Sequence, residues 1–217
     1  MTIKKYLHSC ILLEENGKRL LIDPGSFSFI ERKITPRDIG AVDAILITHS
    51  HQDHYFPEAL KEFVKMNPAL RIIASADIVE LLKNENLDGE AINSGETKNI
   101  GGVAVKAIAL EHGNLPILHP HNFGFIINNK FFHPGDSISR AEIINCDVLA
   151  LPVSAPWAKW IDLLDFGRDL KPKIIIPIHE KVYAEYFIPR VMQISKEYIE
   201  KFGIQFKSLE IGDVLEI

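Results

Sequence analysis

The sequence predicts an α/β (α+β) protein built as a four-layer αββα sandwich, in which two mixed sheets face each other and helices cover their outer sides. Two observations predict this class. Antiparallel hairpins come early and strands alternate with helices later in each half of the chain. The 217 residues also suffice to bury one sizeable core. Because no linker-like tract interrupts the pattern, we expect a single domain over residues 1–217.

In the first half, the apolar runs are short and separated by clear turn signals. They predict strands over 2–7, 10–14, 18–23 and 43–48 and over the segment LRIIAS. Asn16-Gly17 lies between two of these strands and is a strong hairpin signal. Helical spacing covers 57–66, where Pro57 suits the first turn because its missing N–H costs nothing there. Ser75 can cap a second helix that runs to about residue 84.

In the second half, strands and helices alternate more regularly. The predicted strands are VAVKAIAL, FGFII, KFFH, DVLALPV, KIIIPI, IQFKSLE and DVLEI. Asn128-Asn129 marks a turn between FGFII and KFFH. Helices are predicted from about Ser139, near 160–170, and from about Pro189 to Lys201.

Composition limits the partners and the compartment. The net charge of -5 gives no electrostatic reason to expect nucleic acid as a partner. No apolar run approaches the length of a bilayer span, and the N-terminus lacks the pattern of a signal peptide. Cys10 and Cys146 are too few for a disulfide framework and favour a reducing compartment. We therefore expect a cytoplasmic protein that acts on a small molecule, away from membranes, with a homo-oligomer left open.

The segment THSHQDHY concentrates metal-ligating side chains directly after the apolar strand over 43–48. It carries His49, His51, Asp53 and His54. Residues two apart in an extended turn project to the same side, so His49 and His51 can converge on one ion. Imidazole nitrogen and carboxylate oxygen are ligands that zinc accepts. A polar loop with solvated histidines is the alternative, and it is disfavoured because four ligand-type side chains occur at this spacing.

This HxHxDH pattern resembles the motif of the metallo-β-lactamase-fold hydrolases. The opening HSCILLEENGKRLLIDPG, with His8, Asp23 and Gly25, is similar to the branch that includes sugar-acid phosphate lactonases. The resemblance covers nearly the whole chain. It implies the four-layer fold, a metal-dependent hydrolase and two divalent ions, most often Zn²⁺, with Mn²⁺ or Fe²⁺ as alternatives that accept the same ligands.

The resemblance also implies the remaining ligands. His112 in AIALEHG, Asp136 in HPGDS and His179 in KIIIPIHE follow the family's order. The resemblance thus implies that the first metal is bound by His49, His51 and His112, the second by Asp53, His54 and His179, and that Asp136 bridges the two. A hydroxide shared by both ions would be the nucleophile, since a bound divalent ion lowers the pKa of its water towards about 7. The resemblance gives Asp53 a further catalytic role, orienting that hydroxide or passing a proton to the leaving group.

Several neighbouring residues have competing interpretations. His121 is the rival of His112 as third ligand of the first metal, and it could instead contact the substrate. His8 is read either as a pocket residue or as a structural histidine at a strand end. Asp23 is favoured as a partner that holds a ligand imidazole over a plain turn carboxylate. Trp157 and Trp160 could line a pocket mouth, although packing under a loop is the commoner fate of such residues.

The sequence departs from the family at two places. Ser137 follows Asp136 where threonine is more usual, and LPVSAPW lacks the glycine-rich loop common in relatives, which leaves the substrate preference open. Our first hypothesis is hydrolysis of a small ester-like bond, in a lactone or a phosphodiester. The alternatives are a non-catalytic metal or ligand-binding module on the same fold, or a nuclease or thioesterase type of relative.

Overall fold

Two seven-stranded sheets form the middle of the protein in a computed structural model that describes residues 1–116, 119–140 and 145–217. The first sheet contains strands β1 (Thr2–Lys5), β2 (Ile11–Glu15), β3 (Lys18–Ile22), β4 (Ala44–Leu46), β5 (Arg71–Ala74), β6 (Glu90–Ala91) and β14 (Val214–Glu216). Their order is β14-β1-β2-β3-β4-β5-β6. Pairing is antiparallel from β14 to β3 and parallel from β3 to β6.

The second sheet repeats this plan of an antiparallel part followed by a parallel part. It contains β7 (Thr97–Ile100), β8 (Val103–Leu110), β9 (Asn122–Ile127), β10 (Phe131–His133), β11 (Val148–Pro152), β12 (Ile174–Ile178) and β13 (Gln205–Phe206). Their order is β13-β12-β11-β10-β9-β8-β7. Pairing is antiparallel from β7 to β10 and parallel from β10 to β13.

Helices cover the outer face of each sheet. They are α1 (Ser26–Phe29), α2 (Pro36–Ile39), α3 (Pro57–Met66), α4 (Ala76–Asn84), α5 (Trp160–Leu170) and α6 (Ile188–Glu200). Strand residues alternate between two cores because successive side chains point to opposite faces. In β4, Ala44 and Leu46 join the core between the sheets, whereas Ile45 packs with residues of α3 and α4. A third core joins the outer face of the second sheet to α5 and α6. The predicted four-layer sandwich is therefore confirmed.

Local signals predicted the bounds of one helix and the position of one turn. The helix predicted over 57–66 is α3, and both residues of the Asn16-Gly17 turn have positive φ. The polar stretch after α4 contains β6 and β7, which the sequence did not predict because their charged residues obscure the alternation. The helix predicted from about Ser139 falls largely on 141–144, which lie outside the described residues. In the described ranges, no helix has the length and apolar character required to cross a bilayer.

Candidate metal centre

The chain places two groups of metal-ligating side chains next to each other, on the loops that follow β1, β4, β8, β10 and β12. One group is His8, Asp53, His54 and His179, and the other is His49, His51, His112 and Asp136. Within each group the candidate ligand atoms all lie within 4.8 Å of one another. The structure thus brings together the ligand set that the resemblance implied, together with His8.

The turn that carries the histidine motif is held by a close backbone approach. Gly25 lies so near to Asp53 that a Cβ on Gly25 would sit 1.8 Å from the Asp53 carbonyl oxygen. The amide of Ser26 donates to the carbonyl of Gln52 at 2.7 Å. Only glycine fits at this contact, so the Asp-Pro-Gly segment after β3 fixes the position of the motif.

Asp23 organises the base of the site. Its side chain is fully buried, and Oδ1 accepts the backbone N–H of Thr48 at 2.8 Å. Oδ2 accepts the Thr48 hydroxyl at 2.7 Å and the Nδ1–H of His54 at 2.7 Å. The favoured prediction for Asp23 was a partner that holds a ligand imidazole, and the contact with His54 has that geometry.

Hydrogen bonds orient four of the imidazoles in the same way. The Nδ1 atoms of His112 and His179 lie 2.7 Å from the carbonyl oxygens of Gly113 and Ser154, which can only accept. The Nδ1 of His54 donates to Asp23. The Thr48 hydroxyl gives its proton to Asp23 and therefore accepts from the Nδ1 of His49 at 3.0 Å. Each of these rings is left with Nε2 as its available ligand atom.

These Nε2 atoms face carboxylates or other imidazoles. Asp136 Oδ1 lies 3.2 Å from the Nε2 atoms of both His54 and His179. Asp136 Oδ2 lies 3.7 Å from the Nε2 of His112, and Asp53 Oδ2 lies 3.3 Å from the Nε2 of His179. Asp136 therefore presents one oxygen to each group of histidines, which is the arrangement that a bridging carboxylate requires.

The carboxylates of this centre favour the charged forms of two of its histidines, His54 and His179. Burial opposes protonation of His179, but the Asp136 carboxylate outweighs it and raises the pKa of His179 to about 9. Burial likewise opposes the charged form of His54, yet Asp136 and Asp53 hold its pKa well above the ordinary value. For the two carboxyl groups the balance is the reverse. Burial raises the pKa of Asp136 and of Asp53, and the neighbouring imidazoles lower both below the ordinary value.

On the other side of the centre, the histidines stay neutral. Burial lowers the pKa of His49 well below its ordinary value and also lowers the pKa of His51 and His112. The Nε2 of His49 lies 3.1 Å from the Nδ1 of His51. Neutral imidazoles are the form in which histidine binds a metal ion.

A divalent cation fits this donor set. The buried atoms His112 Nε2, His179 Nε2 and Asp136 Oδ1 have no hydrogen-bond partner among the described residues. Buried polar atoms are normally paired, so unpaired donors and acceptors that face one space call for an explanation such as an ion. The mixture of imidazole nitrogen and carboxylate oxygen suits zinc, manganese or iron.

His8 is hydrogen-bonded to Asp53. Its ring is fully buried, and Nε2 lies 3.0 Å from Asp53 Oδ2, while Nδ1 has no partner among the described residues. Burial, followed by the charge of His179, lowers the pKa of His8 to about 4. A neutral His8 then carries its proton on Nε2, and this Nε2–H donates a hydrogen bond to Asp53. His8 therefore holds the Asp53 carboxylate in place.

His121 lies away from the ligand groups. Its side chain is 81% exposed, and its Nδ1 is 3.6 Å from Asp77. It lines a cavity of about 610 Å³ together with His112 and His119. Of the two rivals for third ligand of the first metal, the structure places His112 in the cluster, and His121 keeps only its predicted position near a pocket.

Several residues with a role at the site were missed from the sequence. Thr48 connects Asp23 to His49 through one hydroxyl. His133 is fully buried; its Nδ1 accepts from the amide of Gly135, and its Nε2 lies 3.1 Å from the carbonyl oxygen of Ser9. Asn122 accepts from the amide of Asp136 at 3.0 Å. The HPGD and THSH segments were visible signals, but these contacts depend on distant parts of the chain.

Comparison with known proteins identifies the family. The family described as "Beta-lactamase superfamily domain" matches residues 2–179. A "UPF0173 metal-dependent hydrolase" of Nanoarchaeum equitans is 32% identical over 193 residues, which cover 82% of this chain and 83% of that protein. The chain belongs to the beta-lactamase superfamily and, within it, to the UPF0173 family. Protein Rv0786c of Mycobacterium tuberculosis is 31% identical over 194 residues, covering 85% of this chain and 86% of the relative.

A solved structure supports the fold. The metallo hydrolase Igni18 of Ignicoccus hospitalis superposes with a TM-score of 0.78 at 21% identity, covering 100% of this chain and 98% of that chain. The chain is thus a UPF0173 protein of the metallo-β-lactamase fold. The narrower resemblance to sugar-acid phosphate lactonases is not shown by these relatives and stays a prediction.

Proposed function

We propose that this chain hydrolyses a small ester-like bond, in a lactone or a phosphodiester, with two divalent metal ions. The observation that carries the proposal is the convergence of buried imidazole Nε2 atoms on the two oxygens of Asp136. The family's description as metal-dependent hydrolases supports the reaction class.

The two ligand groups correspond to two ions. His49, His51 and His112 would hold the first, and Asp53, His54 and His179 the second, with Asp136 bridging. Zinc is the proposed metal, and manganese and iron accept the same ligands. Bound ions would lower the pKa of water to about 7 and stabilise the charge that develops on the substrate oxygen.

Asp53 is the chain's proposed proton-handling group. Its side chain is 16% exposed, the largest value among the three carboxylates at the centre, so it can reach a substrate. The Nε2–H of His8 donates to Asp53 Oδ2, which favours the ionised carboxylate that can orient an attacking water. Asp53 can then take up the proton that the attacking water releases as it bonds to the substrate, and pass that proton to the leaving group.

A small substrate suits the space beside His112. Cavities of about 230 and 610 Å³ flank this histidine. Pockets for small ligands commonly range from about 300 to 1,000 Å³. Leu110 and Phe123 line the larger cavity, which can accommodate an apolar part of the substrate.

Metal titration combined with a substrate panel tests the proposal. Calorimetry of the metal-free chain should show two equivalents of Zn²⁺ or Mn²⁺. A lactone or a phosphodiester should then be hydrolysed only by the metal-loaded chain, and a chelator should stop the reaction until metal is returned. Metal binding without turnover of any lactone, phosphodiester or thioester would identify a binding module, and a single equivalent would contradict the dinuclear site.

The metal affinity is expected to depend on pH. His179 has a pKa raised to about 9 by Asp136, so in the metal-free chain its Nε2 carries a proton below that pH. A metal ion must displace this proton. The affinity measured by Mn²⁺ calorimetry should therefore rise as pH is raised towards about 9, and His54, whose pKa is also raised, contributes in the same direction. An affinity that stays constant over this range would contradict the assignment of His179 as a ligand.

A further inference from the structure

The proposed bridging carboxylate has one donor that the sequence did not predict. The indole Nε1–H of Trp157 donates to Asp136 Oδ2 at 3.0 Å. An indole N–H is a donor only, so the direction of this bond is certain. The other oxygen, Oδ1, has no hydrogen-bond partner among the described residues. Trp157 therefore distinguishes the two oxygens of Asp136.

We infer that Trp157 is a positioning residue for the metal centre, which fixes the rotation of the Asp136 carboxylate so that it can bridge two ions. The inference rests on the proposed function. With the indole bonded to Oδ2, Oδ1 is turned to His54 and His179 at 3.2 Å. Oδ2 is turned to His112 at 3.7 Å. A carboxylate oxygen offers two acceptor sites, so Oδ2 keeps one free for a metal ion.

The position of Trp157 is itself built into the fold. The indole lies against Gly113, where an added Cβ would meet ring carbons at 2.1 Å. The amide of Gly113 donates to the backbone carbonyl of Asp136 at 2.9 Å. The neighbouring ligand His112 lies with its ring centroid 6.1 Å from that of Trp157. Trp157, Gly113 and Asp136 thus form one interlocked contact beside the ligand.

Packing alone does not account for this geometry. Trp157 is half-buried and lines a cavity of about 230 Å³ with Glu111 and Asn114, so the ring is not enclosed by a core. A ring that only filled space would have no need to aim its N–H at a buried carboxylate. Partners of metal ligands commonly contribute about 10- to 100-fold to metal affinity.

The test is Trp157→Phe, which removes the N–H and keeps an aromatic ring. Trp160→Phe is the matched control, because Trp160 loses an equivalent bond, from its Nε1 to Ser195 Oγ at 3.2 Å, in a core beside α5 and α6. Calorimetric titration with Mn²⁺ should show metal affinity about tenfold lower for Trp157→Phe and unchanged for Trp160→Phe. The visible spectrum of bound Co²⁺, which reports coordination geometry, should change only for Trp157→Phe.

A second variant tests the same contact without deleting a hydrogen-bonding group. Gly113→Ala should displace the indole, alter the Co²⁺ spectrum and lower the affinity at least as much as Trp157→Phe, because the carbonyl of Gly113 also accepts the Nδ1–H of His112. Thermal melting of the metal-free Trp157→Phe and Trp160→Phe variants separates positioning from structural damage, since each loses one indole hydrogen bond and the two should melt close to each other.

Three outcomes would overturn the inference. Trp157→Phe could bind Mn²⁺ as the wild type does. The affinity of Trp157→Phe could fall while its Co²⁺ spectrum stays unchanged and the metal-free variant melts at a lower temperature than the metal-free wild type. This combination would indicate a purely structural role. A wild-type chain that binds no metal would overturn the proposed function and this inference together, whereas either of the first two results would leave the proposed function standing.

Discussion

Asp53→Ala is expected to lower the rate of hydrolysis by more than about 100-fold while the chain stays folded. Loss of a residue that hydrogen-bonds a metal ligand costs about 10- to 100-fold, and loss of the ligand itself should cost more. Asp53 Oδ2 lies 3.0 Å from His8 Nε2, 3.3 Å from His179 Nε2 and 3.7 Å from His54 Nε2. Removing the carboxylate removes a proposed ligand of the second metal and the proposed proton carrier at once. Calorimetry should show one strongly bound equivalent of metal in place of two.

The matched control is Asp147→Ala, which removes a carboxylate 42% exposed that pairs with Lys173 at the surface. Surface pairs contribute about 0–1 kcal/mol, so activity and metal content should be unchanged. Circular dichroism of both variants checks the fold. If Asp53→Ala retained wild-type turnover, Asp53 would have no catalytic part, and the second metal site would need other ligands.

Asp23→Asn is expected to weaken metal binding about 10- to 100-fold and to lower the free energy of unfolding of the metal-free chain by about 3 kcal/mol. The carboxylate accepts three hydrogen bonds, from the Thr48 amide, the Thr48 hydroxyl and His54 Nδ1. An amide group can accept at only one of its two ends. Its NH₂ would therefore face a donor of Thr48 or His54 in a fully buried place.

Relief of that conflict would damage the metal site. His54 could offer Nδ1 as an acceptor only by keeping its one proton on Nε2, but Nε2 is the atom that faces Asp136 at 3.2 Å and would bind the ion. Denaturant unfolding and Mn²⁺ calorimetry measure the two effects. Asp43→Asn serves as control, since Asp43 also accepts a backbone N–H, from Arg19 at 2.9 Å, but is 32% exposed. Equal stability and affinity for the Asp23 and Asp43 variants would show that Asp23 is only a turn carboxylate.

Prediction from the sequence succeeded where the signal was local. The helix α3 begins at Pro57 because proline is tolerated in a first turn, and Asn16-Gly17 forms the turn between β2 and β3 because both residues accept positive φ. The spacing of the motif after β4 also needs only a few consecutive residues. Such features are decided by backbone sterics and can be seen in a short window.

Contacts between distant segments could not be predicted in the same way. For Trp157 the sequence left open a place at a pocket mouth or packing under a loop, because nothing near it in sequence shows that Asp136 would accept its N–H. His112 and His121 were rivals since both lie close to strand ends. The loop after β8 turns His112 inwards, while His121 remains 81% exposed. Register and loop path decide such cases, and neither can be seen in a short window.

The sequence by itself determined the layered class, most of the elements and a dense group of candidate ligands after β4, because periodicity and turn chemistry are properties of adjacent residues. The tertiary structure alone decided which nitrogen each imidazole presents and which oxygen of Asp136 faces each group of histidines. These follow from the carbonyls, hydroxyl and indole that the packed sheets bring alongside. A hydrogen bond depends on direction to within a few tens of degrees, and only the assembled fold fixes that direction.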